Sequence, residues 1–400
     1  MADVVQGTQH GSGEPSLTDL IEHSAELKGQ LVTFGQSARF DQWLTPLLLE
    51  AAGPERQLDE GEMIRIIDHF ILRYRLPDGS TVVDRFVAGR KHLTASDREM
   101  LLGWRDPVEG IFEVRRKEKD AVVLLNLVDD LEYRTYSNAG WAAFRGVSRG
   151  SFLLTCLVPA HSTGGAWLVS GTMSSYPRSS STEIAQAALQ LVTSRPELVF
   201  RNPVKIEQGW QQMRQDRAAF VEFCGSDELV LPPAEADDLL NAYYRHRQEA
   251  AARQPDRARG RRLPGLELPF FELPQELADS DSIGVIYDEV DGLNFYADYG
   301  MLRELFANPA LEGRRQHQDL LRTYLREESI APLPIRRLTA AYPETADVVF
   351  RKLLRKPAFT WTEHGEALLR RRKPWFYANE PRPGVSVIGD HLSAFLTGRR

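Results

Sequence analysis

Apolar positions along this chain keep a helical rhythm at first, switch to a period of two near residue 110, and return to the helical rhythm. From Ser16, Leu17, Leu20, Ile21, Ser24 and Leu27 share one face, and Ser16 with Asp19 forms a capping-box start. Phe40, Trp43, Leu44, Leu47 and Leu48 mark a second helix, and Met63, Ile66, Ile67, Phe70, Ile71 and Tyr74 a third. Leu76-Pro77-Asp78-Gly79 reads as a turn, because Pro pre-sets φ and Gly accepts positive φ, and the β-branched run after it predicts a strand over Thr81 to Val87. Thr94 with Asp97 caps a short helix that ends near Trp104, before Asp106-Pro107.

From Gly110, five short strands are expected: Ile111 to Arg116, Ala121 to Leu127, Glu132 to Ser137, Ser151 to Pro159 and Ala166 to Gly171. Sequential short strands must close or be covered to hide their edges, so the economical reading is a small SH3-like or OB-like barrel. Tyr176-Pro177 ends it, Ser180 with Glu183 starts a helix, and residues 182 to 252 read as helical. Between Arg245 and Arg262 seven Arg face two acids with no large aliphatic residue, which marks an exposed linker. Ile283 to Asp288 and Leu293 to Asp298 flank Asp291-Gly292, a hairpin signal, and further helices follow.

The expected fold class is therefore α+β: a helical N-terminal part, a barrel unit in the middle, and a hairpin plus helices at the C-terminus. The segments are a disordered leader 1–15, a mainly helical domain 16–107, a barrel-like unit 108–178, a helical connector 179–250, a basic and Pro-rich linker 251–274, and a hairpin-plus-helices domain 275–400.

Composition narrows the class. The chain is 42% hydrophobic and 26% charged, as in ordinary globular proteins. Its longest apolar runs fall far short of the roughly 20 residues that cross a bilayer, so no membrane partner is expected. The start carries no basic and apolar signal pattern, and two cysteines, Cys156 and Cys224, make neither a disulfide framework nor a Cys-rich zinc site. A reducing cytoplasm is the expected setting. The net charge is −7, yet residues 301–400 hold 18 Lys+Arg against 11 Asp+Glu, leaving residues 1–300 at −14. A basic end on an acidic body points to a solvated face or to an acidic partner.

Candidate chemistry is sparse. Gly146-Val147-Ser148-Arg149-Gly150 matches the nucleophile-elbow pattern, but a strand rather than a helix is expected after Ser148. His161-Ser162-Thr163-Gly164-Gly165 would place a His beside small backbone donors, or be a plain hairpin loop. A hydrolase using Ser148 or His161 in an inter-domain cleft is thus the alternative reading. No histidines are spaced to hold zinc, the carboxylates Asp288, Glu289, Asp291 and Asp298 do not fit a calcium loop, and no Gly-rich phosphate cradle is present. No cofactor and no metal are expected. Nucleic-acid contact has two candidate regions. One is the linker, with Arg257, Arg259, Arg261 and Arg262; the other is a pair of helices around Lys356-Pro357, with Arg351, Lys352, Arg355, Lys356, Arg370, Arg371, Arg372 and Lys373, and with Trp361 and Trp375 for stacking.

Val285-Ile286-Tyr287-Asp288-Glu289 leading to Gly292-Leu293-Asn294-Phe295-Tyr296, with Leu368-Leu369-Arg370-Arg371-Arg372-Lys373-Pro374-Trp375, resembles uncharacterised bacterial proteins, some of which carry a C-terminal SEC-C zinc motif. This chain lacks the Cys-rich tail, so the resemblance implies no metal ligand, and it implies no activity. The expected function is a non-enzymatic binding or adaptor protein that meets a protein partner or nucleic acid through its Arg-rich C-terminal segments.

Overall fold

A computed structural model describes residues 16–53, 56–160, 165–253 and 271–398. The leader 1–15, His161 and the linker residues Arg257, Arg259, Arg261 and Arg262 lie outside them. Two compact units are present, one made of the chain up to Arg201 together with the segment from Ile388, the other of Asn202–Val387. Among the described residues, no helix is long and apolar enough to cross a membrane.

The first unit opens with five helices, α1 (Leu17–Gly35), α2 (Asp41–Ala52), α3 (Glu60–Leu72), α4 (Val82–Gly89) and α5 (Ala95–Gly103). Capping boxes start four of them, at Ser16/Asp19, Asp59/Glu62, Thr81/Asp84 and Thr94/Asp97, each satisfying backbone donors that a helix start leaves orphaned. The third box corrects the strand expected over Thr81 to Val87. Thr81 Oγ1 accepts from Asp84 N, and Val82 and Val83 are buried on one helical turn, so the cap and the burial override β-propensity. Leu27, Leu31, Phe40, Phe70, Phe86 and Trp104 fill the helical core.

The period-two region forms β1 (Val108–Lys117), β2 (Val122–Asn126), β3 (Glu132–Tyr136), β4 (Phe152–Pro159) and β5 (Ala166–Tyr176), closed into a barrel in the order β1-β2-β3-β5-β4. β3 and β5 run parallel, and every other pair is antiparallel. That Greek-key order is the OB-like one of the two barrels expected. Phe112, Val122, Leu124, Tyr133, Leu153 and Leu157 fill its interior. β5 runs past Gly171, where the expected strand ended, because a bulge there takes the extra residues and Gly171 adopts φ +69. α6 (Ser181–Ser194) and the helix Asp390–Leu396 then cover β1, with Ile111, Ile184, Ala188 and Leu392 buried together and Phe395 edge-on to Phe152 at 5.4 Å.

The second unit contains α7 (Pro203–Cys224), β6 (Glu228–Leu231), α8 (Pro233–Arg253), α9 (Gln275–Ala278), β7 (Ile283–Asp288), β8 (Gly292–Ala297), α10 (Tyr299–Ala307), α11 (Arg315–Arg326), α12 (Leu333–Ala341), α13 (Pro343–Leu354) and α14 (Trp361–Arg372). The hairpin β7–β8 is the expected one, and β6 adds a third antiparallel strand on the far side of β7. Gly284 lets Tyr299 lie flat on this sheet, since a Cβ there would sit 2.5 Å from the ring. The break between compact units does not fall in the expected linker 251–274. Asn241 on α8 exchanges two 2.9 Å hydrogen bonds with the Phe271 backbone, and Asp237 accepts from Leu273 N, so both flanks of that stretch belong to one unit.

Candidate functional site

The residues singled out by motif do not converge. Ser148 is exposed on a turn, Ser151 engages its N–H and carbonyl, and β4 follows directly where a nucleophile elbow needs a helix. Its expected alternative, His161, lies outside the described residues.

The basic residues of α13 and α14 are partly spent within the fold. Arg351 donates to the Phe359 carbonyl at 2.7 Å and pairs with Asp347 at 2.9 Å, while Arg370 pairs with Glu366 and lies over the Tyr377 ring at 4.6 Å. Lys373 leaves the set altogether. It is fully buried, its ammonium donates to the carbonyls of Glu327 and Ile330 at 2.8 and 2.7 Å, and burial lowers its pKa to about 8. Trp361 is packed on Phe350 at 4.6 Å and offers no stacking face on that side. Lys352, Arg355, Lys356, Arg371 and Arg372 remain exposed, as do Trp375 and Phe376.

On the barrel, the face through which OB-like folds hold oligonucleotides is built from β2, β3 and the β1–β2 loop. Here it carries a ladder of ion pairs, Arg116–Glu118, Arg116–Glu132 and Arg134–Glu118, at 3.3, 3.3 and 2.7 Å. Arg116 and Arg134 are thus each matched by a carboxylate, while Lys117 and Lys119 stay exposed beside them.

A concavity lies elsewhere in the first unit. A cavity of about 590 Å³ is enclosed by α2, α3, β1, β4, β5 and α6, within the range of small-molecule sites. Leu47, Ile66, Leu72, Leu154, Leu191 and Leu198 supply apolar walls. Part of its charge is paired within the wall, while Glu50 and Arg65, both exposed, also line it. Arg195 pairs with Glu109 at 2.8 Å and Arg73 with the same carboxylate at 3.4 Å, while Arg73 also donates to the Pro107 carbonyl. His69 Nδ1 stands 3.8 Å from Glu109. Burial pushes the Glu109 carboxyl up, but His69, Arg73 and Arg195 outweigh it and hold it at about 2.

Opposite this cluster, Asp68 of α3 forms the wall with Ser170 and Gly171 of β5. Ser170 Oγ donates to Asp68 at 2.9 and 3.1 Å, Lys28 of α1 pairs with Asp68, and Lys28 Nζ donates to Ser170 Oγ at 2.9 Å. Gly171 is required there, since a Cβ would stand 3.2 Å from Asp68 Oδ2. Cys156 also lines the cavity, and burial pushes its thiol well above the usual range, which makes it a poor nucleophile. Among the described residues, no group of three or more His, Cys, Asp or Glu side chains is placed to hold a metal ion.

Apart from Cys156, these cavity residues carry no chemical motif in the sequence, because they come from six elements with no common spacing. One signal was present: Asp68 interrupts the apolar run Ile66, Ile67, Phe70, Ile71, and a buried carboxylate requires a partner. Compared with protein-family models, with curated proteins and with solved structures, the chain matches none.

Proposed function

We propose that the first unit is a binding module for a small, neutral and largely apolar molecule, with the cavity beside Glu109 as its site. The observation that carries this reading is the combination of about 590 Å³ of mostly apolar-walled space with a central ionic cluster, Arg73, Glu109 and Arg195, that is already paired. A charged ligand at the Glu109 cluster would have to compete with its internal pairs, which costs free energy. A neutral ligand displaces water from the leucines and needs at most one hydrogen bond. Both cysteines are free, which favours a reducing cytoplasmic setting.

The test is a fluorescence titration with the neutral probe N-phenyl-1-naphthylamine and its anionic relative 1-anilinonaphthalene-8-sulfonate. The neutral probe should bind more tightly, and Leu154→Trp, at a half-exposed wall position, should abolish that binding without unfolding the chain. Equal affinity for both probes, or binding indifferent to Leu154→Trp, would refute the reading.

A second reading, nucleic-acid contact by the second unit, is favoured by exposed Arg355, Lys356, Arg371 and Arg372 in a region that also exposes Trp375 and Phe376. Anisotropy titrations against mixed-sequence RNA at about 50 and about 200 mM salt test it, since several phosphate contacts would make affinity fall by orders of magnitude over that range. Arg371→Glu with Arg372→Glu should remove the binding, and absence of binding at low salt would rule it out.

A further inference from the structure

On the other side of the Asp68–Ser170–Gly171 wall lies a second cavity of about 550 Å³, bounded by α1, α3, Trp104, β5 and the segment after β3. Its walls differ in kind from those of the first. Val32, Ile64, Ile67 and Met173 form an apolar part, Ser137 and Asn138 a polar part, and among the described residues Lys28 and Asp68 are the only charged side chains that line it. Those two charges are not equally available. Asp68 is 6% exposed, and its oxygens already accept from Lys28 and share the single hydroxyl proton of Ser170. Lys28 has three N–H donors, of which two are engaged by Asp68 and Ser170 among the described residues. Its ammonium, 5.7 Å from the centre of the Trp104 ring, therefore keeps one donor without an acceptor.

We propose that this second cavity is a binding site for a small carboxylic acid with an apolar body, whose carboxylate accepts from Lys28 Nζ while its body lies against Ile64, Ile67 and Met173. A carboxylate fits better than a cation because Asp68, the more buried of the two charges, is covered by Lys28 and Ser170, whereas the ammonium keeps an N–H that neither Asp68 nor Ser170 accepts. The interaction is a charge-assisted hydrogen bond in a partly enclosed space, where such bonds are stronger than in water. Ser170 and Lys28 hold Asp68 in place on the far side, so the acid shares the ammonium without having to displace Asp68. The site does not depend on what fills the first cavity.

The test is calorimetric titration of the full chain with 4-phenylbutyrate and with its neutral counterpart 4-phenylbutanol. The acid should bind about tenfold or more tightly than the alcohol, the ratio expected for one hydrogen bond to a charged group. Lys28→Met should remove that preference. Because this change leaves Asp68 unpaired in the wall and threatens folding, Ile64→Trp, at an exposed position that lines only this cavity, provides the second variant. It should abolish binding of the acid, whereas Leu154→Trp in the first cavity should leave it unchanged. Equal affinity for acid and alcohol, retained binding in Ile64→Trp, or loss in Leu154→Trp would each overturn the proposal.

Discussion

Replacing Glu109 by Gln keeps the shape of the side chain and removes its charge from between Arg73 and Arg195. The ordinary carboxyl value of 4.5 and the value of about 2 in the folded chain correspond to about 3 kcal/mol of stability at neutral pH. The side chain is 28% exposed at the cavity wall, and solvent screening brings the expected loss to roughly 1–2 kcal/mol. The sign follows from the direction of the shift. A carboxyl held below its unfolded value stabilises the fold above pH 4.5 and loses that contribution as the pH falls from 4.5 towards 2. The assay is urea unfolding of the full chain, wild type against Glu109→Gln, at several pH values. Only the transition of the barrel-bearing unit should shift, by a constant amount above about pH 5 and by roughly two-fifths of that amount near pH 3. A destabilisation equally large near pH 3, or none at neutral pH, would refute the assignment of Glu109 as the charge that organises the cavity.

Asp129 should behave in the opposite sense: burial pushes its carboxyl up to about 6 against hydrogen bonds from Tyr133 and Leu131 N, so wild type loses stability relative to Asp129→Asn as the pH rises from 3.8 to 6. Denaturation curves across that window check it, and a parallel pair of curves would contradict it. For Lys373, whose folded value of about 8 lies below 10.5, the second unit should gain stability between those two pH values. Lys373→Met should remove that slope and cost about 1–3 kcal/mol at neutral pH by orphaning two carbonyls, both readable from thermal melts. Gly171→Ala should destabilise the first unit by about 1–3 kcal/mol, because it forces a side chain into a left-handed conformation and against Asp68; an unchanged melting temperature would count against it.

Local signals were legible where local energy decides the structure. The caps at Ser16 and Thr94 and the Asp291-Gly292 turn each depend on neighbours within four residues, and each forms as expected. Thr81 to Val87 misled because Val82 and Val83 favour a strand in isolation, while the reciprocal bonds of Thr81 and Asp84 favour a helix. β6 escaped notice because its four residues, Glu228–Leu231, are too few to establish a period between two long helices. The cavities were illegible for a different reason. Lys28, Asp68 and Ser170 are separated by 40 and 102 residues, and nothing in a linear pattern reports that they meet.

The first unit is interrupted: 186 residues, Asn202–Val387, are inserted before the helix Asp390–Leu396 that completes it. During synthesis at about 5–20 residues per second, the ribosome needs roughly 10–40 s to deliver that helix after Arg201 has been made. Over this interval Ile111, Phe152, Ile184 and Ala188 lack their final cover, Leu392 and Phe395. The apolar face of a barrel formed before the insert is complete would thus stay uncovered for a time set by translation speed.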